Sequence, residues 1–145
     1  MDIHVTINGE PVVWQVNPRE RVLDVLRREG FASVKHGCGE GDCGSCTILL
    51  DGQTMRACLL LAGQMEGREI TTVDALGTTD DPHPLQKAFV ECGAVQCGFC
   101  RPGMLLSAYA LLKRSPDPTE DEVREALDGN LCRWTGYVKI IEAVL

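Results

Sequence analysis

Eight cysteines stand among 145 residues, and seven of them fall into two sets whose spacing suits metal. The first set is Cys38-Gly-Glu-Gly-Asp-Cys43-Gly-Ser-Cys46, completed by Cys58. Written as spacing it is C-x4-C-x2-C, then eleven residues, then C. This is the spacing of a plant-type 2Fe–2S site. Thiolates are soft, strongly donating ligands, and four of them complete two tetrahedral irons. Gly37, Gly39, Gly41 and Gly44 let so short a stretch turn its amide N–H groups inward toward an anionic centre. A disulfide knot and a zinc site are the competing readings. Zinc takes its ligands as separated C-x2-C-like pairs, which this triplet fits poorly.

The second set is split. Gln96-Cys97-Gly-Phe-Cys100-Arg-Pro-Gly103 supplies two thiols, and Asn130-Leu-Cys132-Arg-Trp-Thr-Gly-Tyr137 supplies a third. Each stretch is expected just before a helix, where free N–H groups and the helix dipole favour an anionic cluster. A C-x-x-C ahead of a helix also suits a thioredoxin-type dithiol, but that needs a βαβ setting and the surroundings here are helical in pattern.

The elements that must position these thiols follow from periodicity. Ile3, Val5 and Ile7 alternate with polar residues, Asn8-Gly9 is a hairpin turn, and Val12, Trp14 and Val16 return. Asn17-Pro18-Arg19-Glu20 predicts a helix start with Pro18 at the first position, and Val22, Leu23, Val25 and Leu26 its buried stripe up to Gly30. After the cysteine loop, Thr47 to Leu50, the turn Asp51-Gly52 and Thr54 to Cys58 predict a second hairpin, and Ile70 to Val73 a last strand. Gly77 to Pro84 has linker composition, so the chain divides into residues 1–76 and 77–145. Beyond it four short helices are expected, near Leu85–Phe89, from Pro102, from the capping box Thr119–Glu122, and from Thr135-Gly136. The fold class is α+β.

The net charge of −7 speaks against nucleic acid, whose phosphates want a basic face. No apolar run is long enough to span a membrane, and no signal peptide opens the chain. So many cysteines in a cytoplasmic chain, where thiols stay reduced, point to metal or redox work. His4, His36 and His83 lack catalytic spacing and are assigned surface or packing roles, with His36 close enough to the loop to tune it. With no nucleophile–base set, phosphate loop or paired acids, substrate chemistry is not expected on this chain.

Taken together, Lys35-His-Gly-Cys38 through Cys46-Thr, Gln96-Cys-Gly-Phe-Cys-Arg-Pro-Gly-Met104 and Cys132-Arg-Trp-Thr-Gly-Tyr137 resemble the small 2Fe–2S subunit of the xanthine oxidase, or molybdenum hydroxylase, family. This family includes aldehyde oxidoreductase, xanthine dehydrogenase and carbon monoxide dehydrogenase types. The resemblance runs over nearly the whole chain. It implies a β-grasp ferredoxin domain followed by a four-helix-bundle 2Fe–2S-binding domain. It implies two clusters in series, passing electrons from a molybdopterin centre on a large subunit to FAD, on a medium subunit, or another acceptor. In that family the glutamine corresponding to Gln96 lies against the pterin, and Gln96 inherits that role as a cofactor-binding residue.

One position departs. The family pattern Cys-Arg-Cys-Thr-Gly-Tyr has Trp134 in place of its second cysteine, and the indole N–H only donates. Arg101 also stands where a small residue is expected after Cys100. Either Cys92 supplies the missing thiolate, or water or another protein atom completes the iron, or the helical site is empty; the first is adopted. Two rivals accompany the electron-transfer subunit: a stand-alone ferredoxin-like carrier, and a one-cluster structural or assembly subunit.

Overall fold

The computed structural model describes every residue except 78–79 and 133–136. Strands β1 (Asp2–Ile7) and β2 (Glu10–Gln15) pair antiparallel. Asn8 and Gly9 both take positive φ, 51° and 85°, as the tight hairpin requires. Ile3, Val5 and Ile7 point into the core, and Trp14 is buried with its ring centroid 6.3 Å from that of Phe31.

Helix α1 (Val22–Arg28) begins later than Pro18. The bonds expected of a capping box do form: Arg19 N–H donates to Asn17 Oδ1 and Asn17 N–H to Glu20 Oε2. They close a turn and not a helix, because the next residues are claimed elsewhere. Arg21 is extended and bridges Leu61, while Ala62 N–H donates to Glu20 C=O at 2.7 Å and Val22 N–H to Leu60 C=O at 2.9 Å. Tertiary pairing thus overrides the local start signal. The stripe of Val22, Leu23, Val25 and Leu26 is buried as its spacing predicts.

β3 (Thr47–Leu50) and β4 (Gln53–Arg56) form the second hairpin. Cys58 lies beyond its end, in a 3-10 turn over Ala57–Leu59. β5 (Glu69–Thr71) inserts between β1, to which it is parallel, and β3, to which it is antiparallel, giving the order β2-β1-β5-β3-β4. The strand stops short of Val73, which opens another 3-10 turn and packs against the helical core. The mixed sheet on one helix is the β-grasp ferredoxin arrangement.

Helices α2 (Pro84–Glu91), α3 (Arg101–Arg114), α4 (Glu120–Leu127) and α5 (Val138–Val144) form the second half. His83 caps α2 by accepting from Leu85 N–H, and Thr119 with Glu122 makes the reciprocal capping box of α4. Phe89, Met104 and Ile140 are fully buried in a core separate from that of the sheet. α5 runs over Val138–Val144, and the expected start at Thr135-Gly136 lies outside the described residues. Tyr137 precedes it at φ 73°, and Cys100 occupies the N-cap position of α3 without a side-chain cap bond.

Candidate metal centres

The loop from Cys38 to Cys46 wraps a sulfur atom in amides. Cys38 Sγ accepts from the N–H groups of Glu40, Asp42 and Cys43 at 3.2–3.3 Å. Cys38 N–H approaches Cys43 Sγ at 3.4 Å, and Ser45 Oγ lies 3.1 Å from the same sulfur. These donors, Glu40 N–H foremost, hold the exposed Cys38 thiol down to about 7 from its usual 9.0. At Gly37 a Cβ would fall 2.6 Å from Cys43 Sγ, so only glycine lets the backbone pass that close.

Cys46 and Cys58 are the buried pair, brought together by the turn after β4. Burial, together with the hydrogen bond and charge of Cys58, pushes the Cys46 thiol up to about 11. Bare thiolates are thus disfavoured there, and positive charge from metal is what would compensate them. Cys38 and Cys43 are thus hydrogen-bonded neighbours, as are Cys46 and Cys58, and the charge of Cys43 also reaches Cys46, so two adjacent pairs make one set of four. Among the described residues no three His, Cys, Asp or Glu side chains are arranged to hold one metal ion. Two pairs suit a binuclear centre, in which each iron takes two thiolates, better than a single tetrahedral ion.

The helical set is also assembled. Cys100, Cys132 and Cys97 lie together: burial first, then the hydrogen bond and charge of Cys132 and the charge of Cys97, push the Cys100 thiol up to about 12. The Cys132 turn is clasped by one phenol, since Tyr137 Oη accepts from Cys132 N–H at 2.8 Å and donates to Asn130 C=O at 3.0 Å. Cys92 ends α2, its N–H donating to Ala88 C=O and its side chain packing on the helical core. Trp134 lies outside the described residues. Gln96 is exposed in the turn beside Cys97.

The two centres are stitched together. Leu131 N–H donates to Cys43 C=O at 2.7 Å, one residue before Cys132. Gly44 (φ 74°) leaves no room for a side chain: a Cβ there would meet Gly129 O at 2.3 Å, and one on Gly103 would meet Gly44 O at 2.2 Å. Thr47, Arg56, Ser107 and Asn130 complete this seam with side-chain bonds. No periodicity or motif marks Arg56 in the sequence; its partner lies far along the chain. Tyr137 and Asn130 stood within the quoted motif, but their bonds needed the folded turn.

Comparison with known proteins places both halves. A family described as 2Fe-2S iron-sulfur cluster binding domain matches residues 5–77, and one described as [2Fe-2S] binding domain matches residues 72–145. The nicotinate dehydrogenase small FeS subunit of Eubacterium barkeri is 48% identical over 98% of the chain and 91% of its own length. The nicotine 6-hydroxylase small subunit of Paenarthrobacter nicotinovorans is 49% identical over 100% and 88%. The crystal structure of quinoline 2-oxidoreductase from Pseudomonas putida 86 superposes with a TM-score of 0.96 at 50% identity, covering 99% of this chain and 90% of that one.

Proposed function

We infer function from one premise: the chain belongs to the xanthine oxidase, or molybdenum hydroxylase, family, as one of its small iron–sulfur subunits. It is an electron-transfer subunit of an oxidoreductase complex. Cys38, Cys43, Cys46 and Cys58 hold one 2Fe–2S cluster, and Cys97, Cys100 and Cys132 hold a second. When bound, these clusters supply one-electron transfer from a molybdopterin on a large partner toward FAD on a medium one. The residues of this chain do the rest. The amides of Glu40, Asp42 and Cys43 stabilise negative charge at Cys38 Sγ. Gln96, exposed beside Cys97, would be the residue that contacts the pterin of the large partner.

The observation that carries this reading is the two-by-two grouping of four thiols, joined through the Leu131–Cys43 bond to a further three. The fourth ligand of the helical site is assigned to Cys92 through a rearrangement of its turn. So many cysteines assigned to metal suit a compartment that keeps thiols reduced, and we place the complex in the cytoplasm. Among the described residues no helix is long and apolar enough to cross a membrane.

Iron and acid-labile sulfide, measured on protein purified without oxygen, test the reading. About four irons per chain are expected; about two would remove the second cluster. Purification from the native cell should bring down a large molybdopterin-binding chain, and a monomer without companions would leave the stand-alone carrier.

A further inference from the structure

The seam between the two thiol sets contains the cation Arg56, at the end of β4. Its guanidinium bonds two neutral acceptors on opposite sides: Nη1 donates to Thr47 Oγ1 at 2.8 Å and Nη2 to Gly129 C=O at 2.9 Å. Among the described residues no carboxylate lies within ion-pair distance of it. Thr47 in turn donates its single hydroxyl proton to Gly44 C=O at 2.6 Å. Its 3.4 Å approach to Asn130 Oδ1 is then a polar contact, while Asn130 Nδ2 donates to Ser107 Oγ at 2.8 Å. Thr47, Ser107 and Asn130 are buried, so the chain of bonds runs in low dielectric, where hydrogen bonds strengthen.

Each anchor adjoins a thiol. Thr47 follows Cys46, Arg56 stands two residues before Cys58, and Gly129-Asn130-Leu131 leads into Cys132. We propose that Arg56 is a positioning residue that clamps the turn carrying Cys132 onto the ferredoxin half, fixing the separation of the two thiol sets. The clamp goes beyond the electron-transfer reading, although a fixed separation serves it, since electron transfer weakens steeply with distance. Hydrogen bonds from a charged donor are roughly twice as strong as neutral ones, which is why one arginine can do this.

Gly129 offers a clean test. Among the described residues, a Cβ there would lie 2.1 Å from Arg56 Nη2 and within 4 Å of nothing else but the same guanidinium's carbon. Gly129→Ala should therefore act on the seam only through Arg56. Hydrogen exchange of the peptide containing Leu131 is followed by mass spectrometry on the full chain with its native metal. Arg56→Met is expected to speed that exchange about tenfold, with the β1–β2 hairpin unchanged. Gly129→Ala should speed it too, and the double variant should be no faster than the faster single one. A double variant showing the product of both effects overturns the proposal, as does unchanged exchange in both single variants. Should Arg56→Met fail to fold, Arg56→Lys, which keeps the charge but only one bond, takes its place in the cycle.

Where iron counting has first found both sites filled, the magnetic interaction between the reduced sites should weaken in Arg56→Met while each site keeps its own g-values. Undiminished interaction there overturns the positioning role without touching the cluster assignment.

Discussion

Leu131 N–H donates to Cys43 C=O at 2.7 Å, so the residue ahead of one candidate ligand is bonded to the backbone of another. The two thiol sets are therefore not separate modules on a tether. Close backbone approach at Gly44 and Gly103 makes that bond possible.

Gly44→Ala should break this approach. Its Cβ would collide with Gly129 O, and alanine disfavours the φ of 74°. Strain and overpacking together should cost on the order of 2 kcal/mol or more, seen in chemical denaturation as a lower midpoint. At Gly41, also at positive φ, the atoms nearest to a Cβ belong to the flexible side chain of Leu59 and not to backbone, so Gly41→Ala should cost less.

Cys58→Ser should empty the ferredoxin centre alone. Iron per chain should fall from about four to about two, and the EPR signal of one reduced cluster should vanish while the other persists. Loss of all iron would show that the two sites cannot be loaded independently.

Tyr137→Phe removes the hydroxyl that accepts from Cys132 N–H and donates to Asn130 C=O. Both groups are part-buried, so about 1–2 kcal/mol of stability should go with it. Metal should leave the helical set faster under a chelator, while the ferredoxin centre keeps its half-life.

Acid should weaken the sheet through two surface carboxylates. Glu69 N–H and then Arg68 hold Asp51 below its usual 3.8, and His4 N–H holds Glu66 below its usual 4.5. A carboxyl whose folded pKa is depressed contributes stability above its unfolded value and loses it as pH falls through the folded one. Unfolding midpoints should therefore drop below about pH 4, and Asp51→Asn with Glu66→Gln should flatten that limb. Because both groups are exposed, added salt should reduce the difference.

Much of this was legible in residue order because the signals are local. Asn8-Gly9 and Asp51-Gly52 announced their hairpins through the positive φ both turns need, and Thr119 with Glu122 announced α4. The spacing of Cys38, Cys43, Cys46 and Cys58 named a cluster type because ligand geometry is written into loop length. The start of α1 was misplaced because Glu20, Val22 and Ala62 exchange backbone bonds across the fold, and backbone groups carry no residue-type signature.

The sequence alone therefore determined the two candidate thiol sets, the turns and the order of elements, each a property of residues a few positions apart. Tertiary structure alone decided that Cys38 sits by Cys43 and Cys46 by Cys58, that Cys132 joins Cys100, and that Arg56 reaches Gly129. Those contacts join distant segments through carbonyls, amides and thiols available at many positions, and only packing of both cores selects among them.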